Sequence, residues 1–391
     1  MNPAHGGPAQ GIRNTVPALA TLGVQNEVVC CDAESDPWVK SDSFPVHAVG
    51  RGKFGFSYSA DLSAWLCVHL LRFDAVIVHG LWLWPGWAAL RAMNNLDKSA
   101  PRYFVMPHGM LDPWFQRDSS RLIKSIRNLF YWWLVERHVV NSAEGLLFTC
   151  EEELKLARTT FGGYHPKREL NVGYGIAAPP PFDTQMREAF LFRCPELAQR
   201  PYLLFLGRIH PKKGVDILIQ AYLQDKSSGE TQLDLVIAGP GWDSAYGREM
   251  KRLIETSPRS TRGSRRIHAV DMLAGFSKWG ALYDCEAFIL PSHQENFGIA
   301  VVEALACNKP VLISNKVNIW REIAEDHACL VENDSLEGAL QLLNLFSLNK
   351  LKPRNASEAE RFRQCYLQRF TNAVAAKNLS NVIGNILRKN V

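Results

Sequence analysis

YLLFLG (Tyr202–Gly207), LDLVIAG (Leu233–Gly239), RIHAV (Arg266–Val270), EAFILPS (Glu286–Ser292) and KPVLIS (Lys309–Ser314) follow one another through the second half of the chain. Each is short and largely apolar, and each is separated from the next by a stretch of helical periodicity. Runs of this kind predict strands buried on both faces. Strands alternating with helices predict a parallel sheet. The first half repeats the pattern in AVIVHG (Ala75–Gly80), RYFVMPHG (Arg102–Gly109) and EGLLFTC (Glu144–Cys150). Thr149 and Glu152 have capping-box spacing, which predicts a helix from Cys150 to about Thr160.

The alternation stops at IAAPPP (Ile176–Pro181). Three consecutive prolines continue neither a helix nor a central strand. The expected organisation is therefore an α/β chain of two Rossmann-like domains. Residues 1–180 form the first, 181–200 a linker and 201–370 the second. The last ~35 residues read as helical. No short-period repeat supports a solenoid.

A chain of 391 residues fits two domains, three at most. With 47% hydrophobic and 21% charged residues it can bury two cores. A net charge of +5 suits an anionic small ligand or a membrane surface and is too weak to argue for nucleic acid. Nine cysteines with no CxxC pair point to reduced thiols rather than a disulfide framework or zinc ribbon. The polar, glycine-rich opening from Met1 to Gly11 does not read as a secretory leader. His69, Arg72, Asp74 and His79 interrupt the most apolar window, Leu62–Leu90, against a spanning helix. The expected location is the cytoplasm, with any membrane contact peripheral at the inner face of the plasma membrane.

Two motifs carry chemistry. In SHQENFGIAVVEALACNKP (Ser292–Pro310), Glu295 lies in the loop after a strand and Glu303 lies beyond the first turn of the following helix. Gly298 lets backbone approach a ligand, and amides at the helix start bind anions. One carboxylate can accept from sugar hydroxyls and the other from ribose hydroxyls, or both simply solvate a helix terminus. In GRIHPKKG (Gly207–Gly214), Arg208 and Lys213 stand at a strand's carboxyl end, where such sheets bind ligands. Guanidinium and ammonium together neutralise a diphosphate, although basic residues are also common on surfaces.

The order of these motifs resembles that of the family 4 retaining glycosyltransferases of the GT-B fold, which share a GRxxxxKG and an E-x7-E element. The resemblance covers nearly the whole chain and is most specific from Tyr202 to Leu330. It implies two Rossmann-like domains facing across a cleft, with residues 371–391 crossing back to the first. It implies that Arg208 and Lys213 bind the donor phosphates and stabilise the departing diphosphate, that Glu295 lies near the donor sugar, and that Glu303 binds the ribose. Asn296, Phe297 and Gly298 would offer amides to sugar and phosphate. Gly6 and Gly7 resemble the amino-terminal glycine loop facing the donor, and His108, in MPHGM, the histidine lining the sugar. His108 read alone is as well a core or turn histidine. Gly239 and Gly241 resemble the turn beside the base, whose edge would meet Met272 and Leu273. His79 and His210 read as structural, and His5 as a minor ligand contact.

Two features depart from the family. NKVNIW (Asn315–Trp320) replaces a small, glycine-rich stretch, which is expected to reshape a substrate pocket. NPAHGGPAQG begins at Asn2 with no apolar run before it, where a first strand is expected; the expected explanation is a start upstream of Met1.

The resemblance implies front-face transfer, with the leaving phosphate deprotonating the acceptor. No DxD pair is present to hold a divalent metal, so no metal or other cofactor is expected. The expected partners are a nucleotide-diphosphate-sugar donor and a saccharide or lipid-linked acceptor, as in surface polysaccharide synthesis. From Trp114 to His138, Arg117, Arg121, Lys124 and Arg127 share one helical face ahead of Trp132 and Trp133. That face suits an acidic membrane surface, or is a plain solvated one. The competing readings are a GT-B nucleotide-sugar epimerase and a non-catalytic nucleotide-sugar binder.

Overall fold

The computed structural model describes residues 1–3, 6–96, 100–117, 122–197, 200–225, 233–256, 266–351, 358 and 360–388. The chain divides into two compact units, Met1–Gly175 with Thr371–Val391, and Ile176–Phe370.

In the first unit, β1 (Val28–Cys30) and β2 (Val46–Ala48) form a parallel pair. A separate parallel sheet runs β3 (Ala75–His79), β4 (Arg102–Met106), β5 (Gly145–Phe148) and β6 (Glu169–Asn171), in that order. Phe104 and Val105 of β4, and Leu146 and Phe148 of β5, are fully buried at its centre. The apolar runs thus mark β3 to β5. β1, β2 and β6 are three-residue strands of half-buried or exposed residues, too short to stand out as buried runs. Helix Gly7–Ala20 packs against helix Asn372–Arg388. Gly175 closes this junction, since a Cβ there would lie 2.6 Å from the Asn372 Cα. The Asn14 side chain donates to the Gly175 carbonyl at 3.0 Å. Helix Glu151–Ala157 is capped by Cys150, and the carboxylate that returns to Thr149 is Glu153 rather than Glu152. Glu153 Oε2 accepts the Thr149 N–H at 2.8 Å and also its hydroxyl.

The second unit holds one parallel sheet of six strands: β7 (Tyr202–Leu206), β8 (Asp234–Ala238), β9 (Ile267–Val270), β10 (Ala287–Leu290), β11 (Val311–Ser314) and β12 (Cys329–Glu332). Their order is β12-β11-β10-β7-β8-β9. This is the doubly wound order, and it reverses between β7 and β10. Connections leave that point in opposite directions, so a crevice opens at the carboxyl ends of β7 and β10. β7, β8, β10 and β11 are almost wholly buried, as continuous apolar runs require. β12, at the sheet's edge, is only half-buried along its four residues.

The stretch 181–200 is not a bare connector. Asp183 caps a helix, Thr184–Arg193, which packs on helix Gly275–Asp284 within the second unit. Gly280 allows this contact: a Cβ there would lie 2.0 Å from the Met186 carbonyl oxygen. The prolines mark where the preceding pattern ends, but a single short helix of low amphipathic contrast follows them at once.

Candidate functional site

The two motifs of the second unit meet at the reversal point. After β7 the chain passes Gly207 and Arg208 into a tight turn, Pro211–Lys213, where the His210 ring accepts the Lys212 N–H at 3.1 Å. Gly214, at φ 66°, ends the turn and opens helix Val215–Gln224. Its missing side chain is essential, because a Cβ would lie 2.2 Å from the Pro291 carbonyl oxygen after β10. The Lys212 carbonyl then accepts from both the His293 N–H and the Ser292 hydroxyl, each at 2.9 Å. With the loops joined in this way, the Lys213 ammonium forms an ion pair with Glu295 Oε2.

Glu295 is held by main chain as well. Its N–H donates to the Lys316 carbonyl and its carbonyl accepts from the Asn318 N–H, both at 2.9 Å. NKVNIW therefore clamps this loop, with Val317 and Ile319 fully buried beneath it. Burial pushes the Glu295 carboxyl up. The Lys213 charge and hydrogen bond, then the charges of Lys212 and Arg208, outweigh it and bring the pKa below the ordinary value. Glu295 is thus an ionised carboxylate in a field of three cations. Arg208 is exposed and, among the described residues, makes no hydrogen bond or ion pair.

Gly298, at φ 74°, caps helix Ile299–Ala306, which begins one or two residues later than its pattern suggested. Its carbonyl accepts from Val301 and Val302, while first-turn amides stay directed out of the helix end. Phe297 is buried against the Phe370 ring, and Asn296 accepts weakly from the Asn318 amide at 3.4 Å. On the other side of β7, a Cβ on Gly239 would lie 1.8 Å from the Gly207 carbonyl oxygen, and one on Gly241 2.8 Å from that of Ile209. The glycine turn thus lies directly on the Arg208 loop. After β9, Met272 is exposed while Leu273 is buried. Glu303 is separate from the Lys213–Glu295 pair and forms its own ion pair with Lys278 at 2.7 Å.

In the first unit, Gly6 (φ 78°) and Gly7 open helix Gly7–Ala20, with nothing within 4 Å of either hypothetical Cβ. His108 follows β4 with φ 53°, a left-handed conformation unusual for a non-glycine residue. Its Nε2 lies 3.0 Å from Nδ1 of His79, at the end of β3. Burial lowers the pKa of His79 to about 4, and burial together with the His79 charge lowers that of His108 well below its ordinary value. A neutral pair shares one hydrogen bond. Glu153 supports the same turn by accepting the Gly109 N–H.

The β3 loop is pinned by a second buried carboxyl. Glu136 ends a π-helical turn, Trp132–Glu136, and is 1% exposed. Its Oε2 accepts the Trp82 N–H at 3.1 Å, where Trp82 adopts φ 70°. Burial pushes this carboxyl up to about 8.

The basic stretch divides in an unexpected way. Trp132 is fully buried and stacks on Phe161, whereas Trp133 is partly exposed beside Arg137. Ile123, Ile126, Leu129, Phe130 and Leu134 are exposed with Lys124 and Arg127. Arg121 and His5 lie outside the described residues, as does the Arg117 side chain. Sequence reasoning missed His79 as the partner of His108, Lys278 as that of Glu303, and Lys212 as a third cation. A helical i, i+3 search cannot find Lys278, which lies on a different helix from Glu303.

A family profile described as "Glycosyl transferases group 1" matches residues 187–363, and one described as "Glycosyl transferase 4-like domain" matches residues 6–174. The D-inositol 3-phosphate glycosyltransferase of Jonesia denitrificans is 26% identical over 206 residues, covering 51% of this chain and 47% of that protein. The O-antigen biosynthesis glycosyltransferase WclY of Escherichia coli is 24% identical over 178 residues, covering 46% of this chain and 45% of that protein. The matched stretches thus span less than half the length of these relatives. Among solved structures, Anabaena HepE in complex with UDP matches with a TM-score of 0.71 at 15% identity, covering 98% of this chain and 97% of that one. That is a likeness of fold.

Proposed function

The chain belongs to the group 1 glycosyl transferases, with a glycosyl transferase 4-like amino-terminal domain and the GT-B fold, and from that premise we propose that it moves a sugar from a nucleotide-diphosphate donor to a saccharide or lipid-linked acceptor. The observation that carries this reading is the joined pair of loops at the β7/β10 reversal, with Arg208, Lys212 and Lys213 converging on Glu295. Cations gathered at that place match a diphosphate leaving group.

In the proposed reaction the bond between the anomeric carbon and the donor phosphate oxygen breaks, and the acceptor oxygen bonds to that carbon on the same face. The acceptor proton passes to a phosphate oxygen. Arg208, Lys213 and the amides at Gly298 stabilise the charge that builds on the diphosphate, and preorganised donors of this kind are usually the largest catalytic contribution. They fill the role that a divalent metal fills elsewhere, so turnover is metal-independent. Glu295 orients the sugar and Glu303 the ribose. Gly239 and Gly241 line the base, with backbone at Met272 and Leu273 meeting its edge. In the first unit, Gly6, Gly7 and His108 are the residues that the family resemblance assigns to the transferred sugar. WclY, named for O-antigen biosynthesis, supports a role in surface polysaccharide synthesis. The exposed apolar and basic face from Ile123 to Leu134 supports docking on an acidic membrane surface that carries a lipid-linked acceptor.

The test is a panel of UDP-, GDP- and ADP-sugars, read by thermal shift and by slow hydrolysis. One of them should stabilise the protein. Arg208→Ala and Lys213→Ala should each lower turnover ~10²–10³-fold. Full activity in both variants would remove the physical basis of the proposal.

A further inference from the structure

Glu303 is engaged by a residue that lies in neither motif. Lys278 stands in helix Gly275–Asp284, after β9, and Glu303 in helix Ile299–Ala306, after β10. The Lys278 ammonium donates to Glu303 Oε1 at 2.7 Å, with the two side chains 24% and 13% exposed. The same ammonium lies 4.1 Å from the centre of the Trp279 ring, which fixes it from a second side. Among the described residues, Oε2 of Glu303 accepts no hydrogen bond.

An ionised carboxylate offers about four lone-pair positions. Lys278 occupies one, on one oxygen, and leaves the other oxygen unused. A long side chain held at one end also loses less rotamer freedom when a ligand binds. We propose that Lys278 is the positioning residue for ribose recognition: it anchors one oxygen of Glu303 so that the carboxylate presents its remaining lone pairs to the sugar hydroxyls of a nucleoside diphosphate. The proposal rests on the reading of Glu303 as the ribose contact. It makes Lys278 a determinant of ribo- over deoxyribonucleotide selection rather than a clasp between two helices.

Affinities are measured for UDP, GDP and ADP and for the 2′-deoxy form of whichever binds, using the wild type, Lys278→Met, Lys278→Arg and Glu303→Gln. The wild type should favour the ribose form by ~10-fold or more, the scale of one hydrogen bond to a charged acceptor. Lys278→Met should weaken the ribose form ~10-fold while leaving the deoxy form nearly unchanged, and Lys278→Arg should restore discrimination. Full discrimination in Lys278→Met, or an equal loss for both nucleotides, overturns the proposal while leaving Glu303 in place. Absence of discrimination in the wild type, or its survival in Glu303→Gln, overturns the ribose reading and the proposal with it.

Discussion

Glu136 makes the first unit's stability depend on pH in a direction opposite to that of most carboxylates. Its pKa rises from an ordinary value of 4.5 to about 8 on folding, through burial. Between those values the folded chain keeps a proton that the unfolded chain has released. The neutral carboxyl therefore supports the fold fully below pH ~4.5, and this support is lost as pH rises towards 8. At 1.36 kcal/mol per unit, the interval from pH 5 to 8 corresponds to about 4 kcal/mol. Tyr103 and Tyr131, the titratable neighbours that feel Glu136, are themselves pushed up by burial and stay neutral throughout. Glu136→Gln keeps an oxygen for the Trp82 N–H and never acquires charge. Urea titrations of both proteins from pH 5 to 8.5, followed by hydrogen exchange of first-unit peptides, separate this unit's opening from that of the second. The stability of the wild type relative to the variant should fall by ~4 kcal/mol across the series. A difference constant within ~0.5 kcal/mol would show that Glu136 titrates normally, and would refute the reasoning.

Gly239→Ala should destabilise the second unit by about 2–4 kcal/mol and weaken donor binding, because its Cβ would lie 1.8 Å from the Gly207 carbonyl oxygen. An unchanged melting temperature would contradict the packing described. Turnover should persist after EDTA treatment, and activity lost to EDTA and restored by magnesium would place a metal at the diphosphate. The wild type should float with vesicles rich in acidic lipid, less so at high salt, and Phe130→Asp with Ile126→Asp should remain in the dense fraction. Flotation of the double variant at wild-type level would remove the proposed docking face.

Much of the second unit was readable because its central strands are buried on both faces. Phe205, Ile237, Phe288 and Leu312 sit in runs that no helix period explains. The reversal of strand order was not readable, since pairing depends on which runs become neighbours and no local pattern encodes it. The motifs nevertheless named the residues that the reversal brings together: Lys213 and Glu295 form an ion pair although 82 positions apart. The first unit was harder. β1 and β2 are three half-buried residues each, and the buried Glu153 and Glu136 look in sequence like ordinary helix-surface acids. Their burial follows from what packs over them. The departure at Asn315–Trp320 braces Glu295 through main-chain hydrogen bonds, a role its side chains do not announce.

That brace frees evolution at its own positions. Lys316 grips Glu295 through a carbonyl, which every residue supplies, and Asn318 through an amide hydrogen, which every residue except proline supplies. The exposed side chain at 316 can therefore drift, or be recruited to meet a new acceptor, while the acid at 295 keeps its aim. A proline at 318 would end that freedom in one step.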